Sequence, residues 1–233
     1  MKIDNSILEN KHSVYKNSVM NNLMPLKPGK IVTDREKLKI PTINVDSLDE
    51  GELIAAKLIS TLSHYNGIGI SANQIGLNYS VCIVQVNSPI ILINPVVLET
   101  YSYTNEKNEK IDTPFIEGCL SFPGKRAKVN RFIGIKIDAL NLESPITFGY
   151  KTNEDYLAHQ HTSTMLECIA VQHELDHLNG ITMMDKNLNK PLTSNRKNRN
   201  ELVTIVSTDG EMRDIKYKLL YKYLSNNWKL LDE

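Results

Sequence analysis

Two histidines four residues apart in an apolar, helix-forming stretch constrain this chain more than any other feature. The run Val171-Gln172-His173-Glu174-Leu175-Asp176-His177-Leu178-Asn179-Gly180 has the spacing His-Glu-x-x-His. In an α-helix, residues i and i+4 lie about 40° apart around the axis, so His173 and His177 stack on one face and can chelate one ion. Glu174 stands one residue further round. It is badly placed as a third ligand and well placed to take a proton from a water beside the histidines. The segment points to a metal-dependent hydrolase; the competing reading is a helix that merely displays two surface histidines.

The choice turns on where a third ligand comes from. A histidine supplied by an extended motif, His-x-x-Gly-x-x-His, would have Gly180 in place, but the last position is Met183. A glutamate on a following helix has Glu201 as its candidate, in a stretch rich in Asn, Lys and Arg. Upstream, Glu117-Gly118-Cys119-Leu120-Ser121-Phe122-Pro123 offers a thiolate. Cys119 would complete a Cys-His-His set and leave a fourth position open for water.

A third segment, Asn66-Gly67-Ile68-Gly69-Ile70-Ser71-Ala72-Asn73-Gln74-Ile75-Gly76, lies between an amphipathic stretch and an apolar one. It resembles the Gly-x-Gly-Leu-Ala-Ala-x-Gln signature of peptide deformylases. With Glu-Gly-Cys-Leu-Ser and Gln-His-Glu-x-Asp-His-Leu-x-Gly, it supplies three motifs of that family in the family's order. The likeness runs from about Met24 to about Asp185 and takes in Asn94-Pro95, Arg126 and Arg131. Ile70 stands where the family has leucine and Ser71 where it has the first alanine. These are small changes in volume, although a buried Ser71 hydroxyl must find a partner. The run Thr152 to Ala158 followed by His159-Gln160-His161 is not the family's compact connection, and both chain ends fall outside the likeness.

The resemblance implies an α+β fold with mixed and antiparallel β-sheets packed around a central metal-binding helix. It implies removal of the formyl group from formyl-methionine of nascent polypeptides, releasing formate. One divalent ion would be held by Cys119, His173 and His177: ferrous iron in the family, with zinc, nickel or cobalt able to take its place, since a sulfur and nitrogen set suits each. Glu174 would take the proton of the attacking water and hand it to the leaving amine. The Gln74 side-chain amide and the Leu120 backbone N–H would hold the oxyanion. Backbone groups of Ile68, Gly69 and Gly118 would pair with an extended substrate as an added strand. The methionine side chain would enter a pocket built from Gly67, Ile68 and Glu117 on one side and Leu166, Ile169, Ala170 and His173 on the other. Glu117, Arg126 and Arg131 would support the ligands from behind, a surface ion pair being the plainer reading for each arginine. Two other classes remain open. A metallopeptidase cleaving internal bonds would use Glu201 in place of Cys119, and a non-catalytic, metal-stabilised binding protein would need a fourth protein ligand.

With 233 residues, 41% of them hydrophobic, the chain can bury one good core. The expected division is a polar extension over 1–23, a catalytic domain over 24–186, and a basic linker with a small appendix over 187–233. Lys and Arg total 27 and so do Asp and Glu, so the net charge of zero gives no bulk attraction to nucleic acid or membrane. No membrane and no sequence-specific nucleic-acid partner is expected. Residues 1–23 hold no apolar run of signal-peptide or membrane-spanning length, so the expected location is the cytoplasm. Three cysteines at these spacings give no disulfide framework. Cys82, in Val81-Cys82-Ile83-Val84, reads as a buried small hydrophobe. Cys168 points about 140° away from His173 on the same helix and should not share its ion. Arg196, Lys197, Arg199, Lys216, Lys218 and Lys222 give the C-terminal segment a basic bias suited to contact with the ribosome.

The pattern also sets the elements. Ser47-Leu48-Asp49-Glu50 reads as a capping box opening an amphipathic helix that ends before Asn66-Gly67. Thr164 and Glu167 offer a second box for the histidine helix, with Gly180 as its stop. Val81 to Val86, Pro89 to Asn94 and Phe132 to Leu140 read as strands. His159 and His161 read as loop residues. At the end of the chain, Leu202 to Val206 and Arg213 to Tyr217 flank the hairpin signal Asp209-Gly210, and Leu219 to Leu231 reads as a helix, giving a β-β-α appendix.

Overall fold

In the computed structural model, which describes residues 26–189, 202–207, 211–216 and 229–230, the first long helix starts where its cap predicts. Ser47 is extended, and its hydroxyl oxygen accepts the Glu50 N–H at 3.2 Å. The Glu50 carboxylate reaches back to the Asp46 N–H, so the expected box closes one residue early. A short helix, α1 (Arg35–Leu38), precedes this one, which is α2 (Leu48–Tyr65). Asn66 ends α2 in the left-handed conformation, φ 52°, which asparagine tolerates better than most residues.

Three small antiparallel sheets follow. β1 (Gly69–Ser71), β2 (Val81–Gln85) and β3 (Pro89–Ile93) lie in that order, with Ile70 opposite Ile83 and Cys82 opposite Leu92. β4 (Val96–Tyr101), β7 (Gly134–Asp138) and β8 (Ile146–Gly149) form the second, and β5 (Pro114–Gly118) pairs with β6 (Arg126–Asn130) in the third. A four-residue 3₁₀ turn, Ala72–Ile75, follows β1 and carries Asn73 and Gln74 inward. The architecture is mixed α+β, as expected.

The segment Thr152 to His161, expected as a loop, is largely helical: α3 (Asn153–His159) is capped by Thr152, whose hydroxyl oxygen accepts the Asp155 N–H. The histidine helix, α4 (Ser163–Leu178), starts earlier than its sequence signals suggest, with Thr162 as its cap. Thr164 therefore lies inside the first turn and closes no box. Gly180 stops the helix region at φ +71°, as expected. α4 packs against β1, β2, β7 and β8, and α2 against β1, β2 and β3. Between them lie two apolar clusters, one around Met165, Val171 and Leu175 with Ile133 and Ile137, the other around Leu58, Leu62, Ile70 and Ile83. Each buries several large side chains, at roughly 1.5–3 kcal/mol apiece.

The chain separates into two units, Met1–Asn189 and Lys190–Glu233. In the second, β9 (Leu202–Val206) sits between β10 (Met212–Lys216) and β11 (Lys229–Leu230), with Val206 opposite both Met212 and Lys229. The first hairpin strand covers the expected Leu202 to Val206, while the second runs Met212–Lys216 against an expected Arg213 to Tyr217, with Tyr217 outside the described residues. The expected helix over Leu219 to Leu231 is corrected at Lys229 and Leu230, which pair as a strand; residues 217–228 lie outside the described residues. So do the N-terminal extension, most of the basic linker, and Glu201. Among the described residues, no helix is long and apolar enough to cross a membrane.

Candidate metal centre

α4 places His173 and His177 one turn apart, their rings edge to face with centroids 4.9 Å apart. Cys119 comes from the turn just after β5, which carries it to the same point. Its sulfur lies 3.2 Å from His177 Nε2, and the Cys119, His173 and His177 donor atoms all fall within 4.8 Å of one another. Among the described residues, Cys119 is the third ligand that meets the histidines; Glu201 lies outside them. Met183 is buried against Leu38, Phe122 and Val129 instead.

Each donor is held from behind. His173 Nδ1–H donates to Glu117 Oε2 at 2.9 Å, which fixes the tautomer and leaves Nε2 for another partner. Glu117 is gripped in turn by Arg131, Nε to Oε1 at 2.5 Å and Nη2 to Oε2 at 2.7 Å. Arg131 Nη1 also meets Asp176 Oδ2 at 2.6 Å, and Lys186 bonds the other oxygen of Asp176 from the surface. The Arg131 and Glu117 side chains are 2% and 5% exposed, so this is a buried ion pair. Gln74 Nε2 lies 3.3 Å from the Cys119 sulfur and 3.2 Å from Ser121 Oγ. The buried Ser71 hydroxyl finds its partners in Asn73 Oδ1 and Gln74 Oε1, so the departure from alanine leaves no orphaned group.

The charges fit a cation. Burial pushes the His173 imidazole down, but bonds to Cys119 and Glu117 and the nearby Glu174 outweigh it and hold it up at about 10. Burial, with His173 and Arg131 close by, drives His177 well below its ordinary value. The groups around His173 thus favour positive charge at this point. Burial also lifts Glu174 to about 7, even though His173 and Ser71 draw it down, and its Oε2 is buried with no hydrogen-bond partner. A sulfur and two imidazoles, a ready tautomer and an unpartnered carboxylate oxygen together suit a divalent transition ion with an adjacent proton acceptor.

β1 closes this side of the centre. A Cβ on Gly69 would lie 2.5 Å from Glu174 Oε1, and one on Gly67 would lie 2.8 Å from Leu62 Cδ1. The backbone approaches this closely only because both residues are glycine. A cavity of about 880 Å³ opens on Cys119, His173 and Glu174. It is lined by Gly67, Ile68, Gly69 and Gln74 from the β1 region, by Glu117, Gly118 and Leu120 around Cys119, and by Leu166, Ile169 and Ala170 on α4. Arg126 is the exception among the expected site residues: it is exposed on β6, opposite Gly118, and takes no part in the pairing around Glu117. Cys82 and Cys168 are buried, and burial raises both thiols, Cys168 to about 12. His159 stacks on Tyr150, whereas His161 faces the cavity.

Sequence reasoning missed Asp176, Asn73 and the turn Gln160–Ser163. Asp176 was legible in principle, because it is a carboxylate three residues beyond His173 beside an arginine that needs a partner. Asn73, whose Nδ2 donates to the His177 carbonyl at 2.6 Å, carried no such signal.

Comparison with known proteins agrees with this geometry. The family model described as polypeptide deformylase matches residues 29–193. The chain is 34% identical over 165 residues to a peptide deformylase of Aquifex aeolicus, covering 67% of this chain and 85% of that one. It is 32% identical over 145 residues to one of Natranaerobius thermophilus, covering 61% and 79%. Among solved structures, it resembles a peptide deformylase from Thermotoga maritima, with TM-score 0.54, 26% identity, and 70% of this chain matched to 99% of that one. One from Synechococcus elongatus in complex with actinonin gives TM-score 0.53 at 26% identity, covering 72% and 82%.

Proposed function

The chain belongs to the polypeptide deformylase family, and from that premise we propose a division of labour among its residues. The protein is an enzyme that removes the formyl group from the N-terminus of nascent polypeptides. It is metal-dependent, and Cys119, His173 and His177 are the residues that would hold the ion. The observation that carries this reading is the meeting of those three donors beside an unpartnered glutamate oxygen. The mixed sulfur and nitrogen set is compatible with ferrous iron, the ion we assign, and with zinc, nickel or cobalt. Once bound, the ion supplies Lewis-acid polarisation at the open side of the triad.

The chain's own residues do the rest. Glu174 accepts the proton of the attacking water and returns it to the leaving amine. The Gln74 amide, whose Oε1 is held by the Ser71 N–H, turns an N–H from Cys119 or Ser121 to the oxyanion, and the Leu120 backbone N–H is the second donor. Ile68, Gly69 and Gly118 align an extended substrate as an added strand, and the apolar wall of Leu166, Ile169 and Ala170 receives the methionine side chain. Arg131 acts through Glu117 to hold His173 in one tautomer; Arg126 has no such part. α4 is then the metal-binding helix of a catalytic domain over 24–186. The segment 187–233 is an appendix whose basic residues suit the ribosome surface. Replacing Glu174 by Ala tests the assignment. Stoichiometric metal should remain while formate release from formyl-Met-Ala-Ser falls by about 10²–10⁴. Activity within about ten-fold of the parent would exclude Glu174 as the base.

A further inference from the structure

The cavity does not stop at the apolar residues assigned to methionine. Along α4, the residues facing it step outward from His173 through Ala170 and Leu166 to Ser163, and the wall continues onto Gln160 and His161 in the turn before the helix. From His173 to Ser163 is about 15 Å at the rise of an α-helix. The chemistry changes along that path: Ile169 and Leu166 are apolar, whereas Gln160, His161, Thr162 and Ser163 are all polar. This turn lies in the segment where the chain departs from the family's compact connection.

The turn is held in place at both ends. Thr162 N–H and Oγ1 both donate to the His159 carbonyl, at 3.1 and 2.8 Å, and the Tyr150 hydroxyl sits 2.7 Å from Thr162 Oγ1. The Tyr150 ring stacks on His159, and at the start of α3 the Asn153 side chain bonds Thr104. Among the described residues, the Gln160 amide and the His161 ring have no hydrogen-bond partner. A polar wall fixed in advance, with free donors, gives selectivity at little cost in ordering. Of the two carboxylates that line the cavity, Glu117 and Glu174, the first is already engaged by Arg131 and His173.

An extended peptide places the side chains of its first and third residues on one face, about 7 Å apart. The step from Leu166 to Ser163 is three residues of helix, a rise of about 4.5 Å, with the Gln160–His161 turn just beyond. We propose that this turn reads the third residue of the formylated peptide, favouring a side chain tipped with a hydrogen-bond acceptor, such as Asp or Asn, over a bulky apolar one. The inference rests on the deformylase reading above.

Formate release from formyl-Met-Ala-Asp, formyl-Met-Ala-Asn and formyl-Met-Ala-Leu, compared between the parent and the Gln160→Ala/His161→Ala variant, tests it. The parent should favour the Asp and Asn peptides by about five-fold or more in kcat/KM, mostly through KM, and the ratio should fall to about one in the double variant. His161→Gln, which keeps a donor, should retain most of the preference, and thermal unfolding with metal analysis checks that each variant is folded and loaded. A parent ratio near one, or a ratio that survives in the double variant, overturns the inference. No formate from any of the three peptides in the metal-loaded parent would instead overturn the deformylase reading and the inference with it.

Discussion

Replacing Arg131 by Met should separate the stability of this fold from its hold on metal. Three charge-assisted bonds leave with the guanidinium, two to Glu117 and one to Asp176. Their consequences differ. Asp176 is partly exposed and keeps Lys186 as a partner, so its loss is largely compensated. Glu117 is 5% exposed and keeps only the His173 N–H, so a carboxylate is left almost uncompensated in a medium that solvates it poorly. Breaking a buried pair from one side costs about 3–5 kcal/mol, and the compensation at Asp176 places this case near the lower figure, about 3 kcal/mol. The double variant Arg131→Met/Glu117→Leu removes both charges and should recover to within about 1 kcal/mol of the parent. It also removes the acceptor that orients His173, so its affinity for metal should stay about 10–100-fold below the parent's. Urea unfolding of the metal-free proteins reads the first quantity, and competition with a chelator reads the second. A single variant within about 1 kcal/mol of the parent, or a double variant with the parent's metal affinity, would refute the reasoning.

Three further outcomes follow from the same geometry. Burial raises the Glu117 pKa, but its bonds from Arg131 and His173 win and hold it below the ordinary 4.5; the stability it contributes is complete above that value and lost as pH falls through the lowered one, so Glu117→Gln should flatten the acid limb of the metal-free protein's stability curve. Gly69→Ala drives a methyl group to 2.5 Å from Glu174 Oε1 and should cut formate release by about 10²-fold with metal still bound; wild-type turnover would contradict the close approach. A chain ending at Asn189 should keep peptide deformylation but lose salt-sensitive co-sedimentation with ribosomes, and equal co-sedimentation of the two forms at low salt would remove the docking role of the tail.

What could be read from the sequence follows from how strongly each element depends on its own residues. α2 and α4 carry long apolar faces and clear stops at Asn66 and Gly180, so both were legible, although the start of α4 was not. Thr162 directs its hydroxyl to the preceding turn instead of capping the helix, so no local motif marks that start. β2 and β3 are rich in buried β-branched residues and show themselves. β4 is exposed over nearly its whole length, and β6 alternates Arg126, Ala127, Lys128 and Val129 over too few residues to stand out from a basic loop. These strands exist because β7 and β5 lie beside them, and such partners are not written locally. The seven residues of α3 bury only Tyr156, too little for a periodic signal. At the site, motif order supplied the triad, Gln74 and Glu174. Arg126 and Arg131 look alike in sequence, and only the strand register separates them: Arg126 lies exposed opposite Gly118, whereas Arg131, just past the end of β6, turns inward.

The most direct test of the central claim compares Cys119→Ala with Glu201→Ala in protein purified without oxygen, reading metal content and formate release from formyl-Met-Ala-Ser on the same samples. The account predicts that Cys119→Ala loses the ion and the activity together, while Glu201→Ala keeps one ion per chain and the parent's turnover. Stoichiometric metal and undiminished formate release in Cys119→Ala would contradict it.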